Sequence, residues 1–471
     1  MTGTGHDPLD LLPETLLAAS AVLGLLLGSW LPRRRQWLTG ALGMTACAAG
    51  TAAAAVAATA APGSAFGGSF ALDPVTATAR VVVLGATLLV LALALPRLHG
   101  DPRETEAYVL LQLAATGALA LAGAQDLLLL AAGYLLASVP GYALAGFRKD
   151  GPGTEAALKY YVVGALLGVL MLTGVTLLFA AGRTTSYTAL RPALAEAPSA
   201  LVAVGTLAVL AGILFKAGGV PGHFWVPDVV QGSPAPVAAF LTTVPKIGAL
   251  AAAFRLAATP LADADVPWTA LLATLSAASM TLGNLAAFFQ RDATRLLAYS
   301  TVSQVGYLLI PVAVTGDSGL AGQALLYYLA AYAVTNLGAF AVVCALPGAR
   351  TLDDHRGLAR RHPALAASLA VCLLGLVGTP PTAVFLGKLE VFSAAFDGGL
   401  AWLAVLAAVN TVASLFYYLR WIVPAFTGRT AAGPLREVSR PAAAIAYGTA
   451  AASVALGVFG GPVLELTSSA G

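Results

Sequence analysis

Charged side chains are scarce in this sequence. Only 10% of the 471 residues are Asp, Glu, Lys or Arg and 58% are hydrophobic, whereas a soluble domain carries about 25% charged residues. The small net charge of +3 is spread through short segments between apolar runs, with no basic patch of the kind that binds nucleic acid. The composition therefore predicts an integral membrane protein and argues against a nucleic-acid partner.

Metal-binding and nucleotide-binding patterns are also missing. The three cysteines, Cys47, Cys344 and Cys372, lie in apolar segments without metal or disulfide spacing. The five histidines form no HxxxH or HExxH pattern, and no GxxxxGK[ST] or strand-linked GxGxxG occurs. We therefore predict no cofactor and no metal in this chain. The start, MTGTGHDPLDLLPE, lacks the basic region and cleavage site of a signal peptide, so we expect a retained first helix.

Long apolar runs occupy most of what remains. A helix needs about 20 apolar residues to cross the hydrocarbon of a bilayer. The connections between the runs are short, which leaves no room for a soluble domain. The sequence predicts fourteen spans, at about 10–31, 36–62, 74–96, 105–123, 125–147, 154–181, 198–230, 235–259, 267–289, 293–315, 318–346, 364–396, 400–425 and 440–464.

Lysine and arginine are concentrated in alternate loops under this count. Basic loops stay on the cytoplasmic side of a membrane, and the opposite loops hold little beyond Arg183 and Arg191. We expect a multi-pass protein of the cell inner (plasma) membrane with both termini on the non-cytoplasmic side. The basic loops contain Arg33, Arg34, Arg35, Arg97, Arg103, Arg148, Lys149, Arg291, Arg295, Arg350, Arg356, Arg360, Arg361, Arg429, Arg436 and Arg440.

Three of the five lysines lie in the middle of apolar stretches: Lys216, Lys246 and Lys388. An ionisable side chain at bilayer depth costs about 2.5–3.5 kcal/mol on insertion scales and usually marks an ion or proton path. Two structural explanations compete with that function. One is a static ion pair that holds helices together, and the other is snorkelling to the membrane surface. Snorkelling fits Lys216 and Lys246 poorly, because apolar residues lie on both sides of each.

Glycine and proline interrupt the spans that carry two of these lysines. Lys216 is followed by AGGVPGHFWVPDVVQGSPAP, and GTPPT at 378–382 precedes Lys388. Irregular backbone at membrane depth is tolerated only where protein or water satisfies its polar groups. A matched pair of breaks points to an ion path between inverted repeats, although GTPP alone is equally consistent with a simple kink.

The positions of the breaks predict the organisation of the chain. Each break falls in the fourth helix of a set of five, in spans four to eight and nine to thirteen. We expect an all-α integral membrane protein with about fourteen transmembrane helices and two inverted five-helix repeats, each containing a broken helix. The predicted units are flanking helices in 1–104, the first repeat in 105–259, the second repeat in 260–425 and a C-terminal helix in 426–471.

Several segments resemble the antiporter-like membrane subunits of respiratory complex I, the NADH-quinone oxidoreductase, and subunit N above all. The most specific are FKAGGVPGHFWVPDVVQGSPAPVAAFLTTVPKIGAL at 215–250 and GLVGTPPTAVFLGKLEVFSAA at 375–395. The resemblance covers roughly residues 70–425. Further matching segments are TEAALKYYVVGA (154–165), LGNLAAFFQRDATRLLAYSTVSQVGYLL (282–309), HRGLARRHP (355–363) and NTVASLFYYLRWI (410–422).

This resemblance implies a proton-translocating module in the membrane arm of a complex I-type enzyme. The chain would contact other membrane-arm subunits and the lipid bilayer. NADH, FMN, iron–sulfur clusters and quinone would act in partner subunits, with no redox chemistry in this chain. Lys216 would be central to the first half-channel, Lys246 would connect the two halves, and Lys388 would lie on the exit side.

The resemblance also suggests roles for residues around these lysines. Lys159 matches a family lysine and is either an entrance-side relay or a snorkelling residue. His223 lies in the first break and is either a proton relay or a hydrogen-bonded residue at a helix end. We expect Asp228 to cap a helix rather than take up protons, and Glu390 to be a counter-charge for Lys388. Polar residues that bind either water or neighbouring helices are Asn284, Ser300, Ser303, Gln304 and Tyr307.

The chain departs from the family in the fifth span. The family pattern resembles GLELLSLPLY, and the run from Gly133 to Tyr142 places Leu135 where the glutamate is expected. Lys216 then lacks its opposite charge. Two alternatives to a proton pump therefore stay open: a cation/proton antiporter component, and a divergent structural subunit with impaired pumping.

Overall fold

The computed structural model describes residues 8–427 and 438–467. This part of the chain is almost entirely helical. Its α-helices are α1 (Leu12–Trp30), α2 (Trp37–Ala57), α3 (Pro74–Leu98), α4 (Glu104–Gly123), α5 (Leu127–Ala145), α6 (Gly151–Gly182), α7 (Tyr187–Glu196), α8 (Ser199–Ala217), α9 (Val226–Gly232), α10 (Ala235–Ala258), α11 (Trp268–Ala287), α12 (Ala293–Ala313), α13 (Ala321–Ala345), α14 (Leu358–Arg361), α15 (Pro363–Val377), α16 (Ala383–Asp397), α17 (Ala401–Thr427), α18 (Arg440–Val458) and α19 (Gly460–Thr467).

The predicted membrane spans are confirmed. Within the described ranges, 13 helices are long and apolar enough to cross a membrane. The half-helices α15 and α16 together form one further span, which is interrupted where GTPPT predicted a break. The other interrupted span is α8 followed by α9, and it carries the glycine- and proline-rich segment after Lys216.

Two segments between spans have structure that the hydropathy pattern did not predict. The second span ends at Ala57 rather than 62, and the chain then forms a short antiparallel hairpin of β1 (Gly63–Ala65) and β2 (Phe70–Leu72). Helix α7 lies between the sixth and seventh spans and buries Leu190 and Leu194. Both elements are too short or too polar for a hydropathy scan to separate them from loops.

Five-helix sets follow one another in the order that defines an inverted repeat. Helices α4, α5, α6, α8 with α9, and α10 form the first set. Helices α11, α12, α13, α15 with α16, and α17 form the second set. Five is an odd number, so the second set starts on the opposite face of the membrane from the first and runs in the inverted direction.

Several of the predicted basic loops lie close together at one face. A cavity of about 820 Å³ opens there between the two five-helix sets. Its lining includes Arg97 and Arg103, which flank the α3–α4 connection, and Arg148, Arg295 and Arg350 from three other segments. Two arginines used to predict the orientation, Arg429 and Arg436, lie outside the described residues.

Helices α10, α12 and α13 form the centre of the molecule. Nearly every side chain along them is buried by protein, whereas α1, α2 and α6 expose most of their residues to the surroundings. Helix α10 packs against α3, α4, α8, α12 and α13, and so joins the two five-helix sets. Polar groups on these three helices are therefore shielded from lipid on all sides.

An ion pair between buried Arg255 and half-buried Asp73 fixes one end of α10. Arg255 donates to both carboxylate oxygens of Asp73 at 2.7 and 2.6 Å, and also to the carbonyl of Ala122 at 2.5 Å. It thereby ties α10 to the start of α3 and the end of α4. Burial acts to raise the pKa of Asp73, but hydrogen bonds from Arg255 and Thr76 hold it below its ordinary value.

We predict that Asp73→Asn destabilises the protein by about 3 kcal/mol near neutral pH, because Arg255 is left buried without its counter-charge. In the native chain this stabilisation is fully present above the unfolded pKa of about 3.9 and is lost as the pH falls below it. Thermal unfolding in detergent between pH 3 and pH 7 measures both effects. The control is Asp263→Asn, which breaks an exposed pair with Arg191 and should change stability very little. Equal stability of the two variants at neutral pH would contradict the prediction.

Gly117 allows close contact between α4 and α5. A methyl group placed there would lie 2.2 Å from the backbone nitrogen of Ala137. We therefore predict that Gly117→Ala costs about 1–3 kcal/mol through overpacking, measured as a lower unfolding temperature in detergent. Gly85→Ala in α3 is the matched control, because its added methyl group meets no atom within 4 Å. An unfolding temperature of Gly117→Ala equal to that of this control would show that the helices separate freely.

Candidate functional site

The first helix break is built around a glycine in the left-handed conformation. Gly218 has φ 78°, and the backbone N–H groups of Gly218 and Gly219 both donate to the carbonyl of Leu214, at 2.9 and 3.0 Å. The indole of Trp225 donates to the carbonyl of Phe215 at 3.0 Å. These bonds satisfy carbonyls at the end of α8, where Lys216 occupies the last turn.

The second break repeats this geometry. Gly378 has φ 90°, and the N–H groups of Gly378 and Thr379 donate to the carbonyl of Leu374, each at 3.1 Å. Each break also contains a cis-proline three residues after its glycine, Pro221 in the first and Pro381 in the second. The simple-kink interpretation of GTPPT is wrong, because two separate half-helices meet here as they do in the first break.

Lys216 lies inside an aromatic enclosure. Its side chain is 1% exposed, and its ammonium nitrogen Nζ has no hydrogen-bond partner among the described residues. Nζ faces the rings of Tyr134 on α5, Phe215 on α8 and Tyr160 on α6, at 5.2, 5.7 and 6.0 Å from the ring centres. A static ion pair therefore does not explain this lysine within the described part of the chain.

Lys246 lies at the centre of the molecule on α10 and is 1% exposed. Its Nζ donates to the hydroxyl of Tyr332 at 3.1 Å and to the carbonyl of Thr301 at 3.4 Å. The Tyr332 hydroxyl in turn donates to the carbonyl of Thr242 at 2.9 Å. The Thr301 side chain is also within hydrogen-bond distance of Tyr332, at 3.0 Å. We call these four residues the central cluster, which joins α10, α12 and α13.

Lys388 binds the end of a half-helix. It is 3% exposed, and its Nζ donates to the carbonyl of Val377 at 2.8 Å and to the hydroxyl of Thr411 at 3.1 Å. Val377 is the last residue of α15, where the helix dipole and unpaired carbonyls favour a cation. Thr411 donates to the hydroxyl of Tyr307 at 3.1 Å, and Nζ lies 4.0 Å from the centre of the Tyr307 ring.

Gln304 connects this second break to α13. Its amide donates to the carbonyl of Leu376 at 2.8 Å, and its oxygen accepts a hydrogen bond from Tyr328. The Tyr328 ring lies edge-on to the ring of Tyr307. Lys388, Thr411 and Tyr307 therefore lie beside Tyr328 and Gln304. We call these five residues the exit cluster, after the exit-side position that the resemblance implies for Lys388.

The central and exit clusters lie one helical turn apart. Thr301 and Gln304 are three residues apart on α12, and Tyr332 and Tyr328 are four residues apart on α13. A turn of α-helix rises about 5.4 Å, a distance that one or two water molecules can bridge. Lys216 is separate from both clusters, since its Nζ bonds to no side chain among the described residues.

Lys159 and Asp228 form a surface network at the basic face. Asp228 accepts hydrogen bonds at 2.6 Å from both Lys159 on α6 and Arg295 on α12, and Lys159 also pairs with Glu155 at 2.6 Å. The prediction that Asp228 caps a helix is wrong. Helix α9 begins at Val226 without a side-chain cap, and the carboxylate is occupied by two cations instead.

Two other predicted residues, His223 and Glu390, form no bond with the three lysines in the described part of the chain. His223 lies in the first break, with its ring 4.5 Å from that of Phe224. Glu390 is on α16, but neither its carboxylate nor any other in the described ranges pairs with Lys388. The expected counter-charge role of Glu390 is therefore not present in this structure, because residues two apart on a helix face different directions.

Comparisons with known proteins agree with this architecture. A family model described as "NADH:quinone oxidoreductase/Mrp antiporter, TM" matches residues 124–414. A Streptomyces griseus protein named NADH-quinone oxidoreductase subunit N 1 is 54% identical over 466 residues, which cover 99% of this chain and 98% of the relative. The subunit N of Mycobacterium sp. (strain JLS) is 50% identical over 464 residues, covering 98% of each. The chain belongs to the subunit N family of NADH-quinone oxidoreductases.

Solved structures place this subunit N chain in the same fold. A chain of respiratory complex I from Thermus thermophilus with bound aureothin superposes with a TM-score of 0.84 at 34% identity, covering 97% of this chain and 100% of that chain. A chain of the Mrp complex from Dietzia sp. DQ12-45-1b superposes with a TM-score of 0.88 at 23% identity, covering 100% and 97%. The second likeness shows the shared fold alone.

The structure shows where Leu135 lies, at the position for which the resemblance implies a glutamate. Leu135 is 45% exposed on the outer surface of α5, whereas its neighbour Tyr134 is buried against Lys216. The subunit N chain therefore presents an aromatic ring to this lysine from the same helix turn. Sequence reasoning missed Tyr134, Tyr160, Tyr328 and Tyr332, because buried aromatic residues at helical spacing resemble ordinary core positions.

We predict that Gln304→Met destabilises the subunit and lowers turnover of the assembled enzyme. The thioether fills a similar volume but leaves the carbonyl of Leu376 and the hydroxyl of Tyr328 buried without partners, at about 1–3 kcal/mol for each group. Thermal stability and quinone-dependent NADH oxidation should be measured together. Gln290→Met is the control, since among the described residues the Gln290 side chain bonds only to the nearby carbonyl of Ala286, and its backbone bonds are kept in the variant. If both variants behave like the native subunit, Gln304 does not hold the exit cluster together.

Proposed function

We propose that this subunit N chain carries protons across the membrane arm of a complex I-type NADH:quinone oxidoreductase, with Lys216, Lys246 and Lys388 as the proton-carrying groups. The observation that supports the proposal is the burial of all three lysines, at 1, 1 and 3% exposure, without a carboxylate partner among the described residues. A lysine held away from water can release and take up a proton, whereas a paired lysine is a fixed charge.

The second half offers a defined route. A proton on Lys246 can pass to the hydroxyl of Tyr332 and Thr301 within the central cluster. One helical turn farther along α12 and α13, the exit cluster leads through Tyr307 and Thr411 to Lys388. Water can bridge the gap of about 5.4 Å. Hydroxyl groups both donate and accept hydrogen bonds, as a proton relay requires.

The first half takes its proton from the basic face. Asp228 and Arg295 line the cavity between the two five-helix sets, and Lys159 pairs with Asp228. Lys216 lies at the inner end of the same broken span, on α8. In this arrangement residues 105–259 form the uptake half and residues 260–425 form the release half of the path.

Membrane side and partners follow from the same proposal. The basic face is the cytoplasmic face of the plasma membrane, so both termini lie on the opposite side. NADH, FMN, iron–sulfur clusters and quinone belong to partner subunits. This chain supplies proton movement that responds to their chemistry through contacts with neighbouring membrane-arm subunits.

The test is proton pumping by the whole complex in inverted membrane vesicles that carry Lys216→Met. We expect pumping and coupled NADH oxidation to fall by about tenfold, because proton transfer by a positioned side chain is lost. Lys149→Met is the matched control, since Lys149 is exposed on a loop. Normal assembly with unchanged pumping would instead support the structural-subunit alternative for this half-channel.

A further inference from the structure

The ammonium group of Lys216 faces aromatic rings and no formal negative charge. The three rings within 6.0 Å of Nζ come from α5, α6 and α8. Tyr134 is closest at 5.2 Å, and Phe215 is next to Lys216 in sequence. Neither oxygen nor nitrogen among the described residues bonds to this Nζ, so the rings are the side-chain groups whose contact with its charge the structure shows.

The aromatic groups around Lys216 hold one another in place. The ring of Tyr160 stacks on Trp225 with their centres 4.3 Å apart, and lies 5.4 Å from the ring of Phe215. Trp225 is anchored by its indole bond to the Phe215 carbonyl at 3.0 Å. Tyr160 also packs edge-on to Tyr142, 5.0 Å away. These contacts fix the rings before a proton arrives on the lysine.

The face of an aromatic ring carries partial negative charge and attracts a cation within about 6 Å. The attraction is larger where water is excluded, as it is around Lys216. A charge buried with no partner at all is strongly disfavoured. The attraction between these rings and the ammonium group therefore affects how readily Lys216 binds a proton.

We propose that the ring faces of Tyr134 and Tyr160 bind protonated Lys216 in place of a membrane carboxylate. Tyr134, the closer of the two, is then a positioning residue for proton transfer in the first half-channel. This inference rests on the proposed function and specifies how the chain works with Leu135 at the position of the family's glutamate.

The other two lysines show why the effect is clearest at Lys216. Lys246 and Lys388 also lie over tyrosine rings, with Nζ 4.4 Å from the centre of Tyr332 and 4.0 Å from the centre of Tyr307. Both of those lysines have hydrogen bonds as well. Lys216 has no such bonds in the described part of the chain. A weaker attraction between the ring face and its ammonium group should therefore lower proton pumping directly.

Tyr134 also fills space, and the experiment must separate that role from cation binding. Its ring packs against Gly168 on α6, so Tyr134→Leu removes volume as well as the ring. Its hydroxyl makes one long bond, to the carbonyl of Gly164 at 3.4 Å. Tyr134→Phe therefore keeps the ring and loses little else. Phenylalanine with one, two or three ring fluorines keeps nearly the same shape while the negative charge on the ring face falls stepwise.

The experiment places phenylalanine and its fluorinated forms at position 134 by stop-codon suppression and measures proton pumping by the whole complex in inverted vesicles. We expect Tyr134→Phe to restore near-native pumping, each added fluorine to lower it, and the trifluorinated form to pump about tenfold less. Tyr134→Leu should lie at or below that level. Trifluorinated phenylalanine at Phe340, a buried residue of α13 with no cation contact among the described residues, is the control and should leave pumping unchanged.

The outcomes separate the two proposals. If Lys216→Met abolishes pumping but the fluorinated series pumps as well as Tyr134→Phe, the ring only fills space and the inference is overturned, while the proposed function stands. If Lys216→Met leaves pumping intact, the proposed function of the first half-channel fails and the ring inference fails with it. A stepwise decline together with an inactive Lys216→Met supports both.

Discussion

An ammonium group buried in the membrane with no carboxylate beside it is the constraint on which this structure depends. Charge in such surroundings needs a partner, and the chain supplies partners of unequal strength. Lys388 has the carbonyl end of a half-helix, Lys246 has a hydroxyl and a carbonyl, and Lys216 has aromatic rings. The helix breaks, the tyrosines and the central position of α10 and α13 all serve to hold a positive charge away from lipid.

The two halves meet this constraint differently although their backbones match. Both breaks end a half-helix with a left-handed glycine, which exposes carbonyl groups at membrane depth. In the second half, side chains of Lys388 and Gln304 occupy carbonyls of the last turn. In the first half, a tryptophan takes one carbonyl and the lysine is part of the last turn itself. The two repeats therefore share a backbone arrangement but differ in the side-chain contacts within it.

Features whose energetic cost depends on the local sequence could be predicted from the sequence alone. Long apolar runs, glycine and proline within them, and lysines at their centres predicted the spans, the breaks and the candidate site residues. Contacts between distant segments were not predictable in this way. Arg255 pairs with Asp73 across 182 positions, and the Tyr134 ring on α5 meets Lys216 on α8 only in the folded chain. Asp228 was misassigned as a cap because its two cations lie on other helices.

The missing side chain at Gly117 has a consequence for how this site can change during evolution. Gly117 touches the backbone of α5 at Ala137, one turn from Tyr134 on the same helix. A wider separation of α4 and α5 would move α5, and the Tyr134 ring with it. Positions 117 and 134 are thereby linked, since a larger residue at 117 would shift this ring relative to Lys216. Covariation between these two positions would be the record of that link.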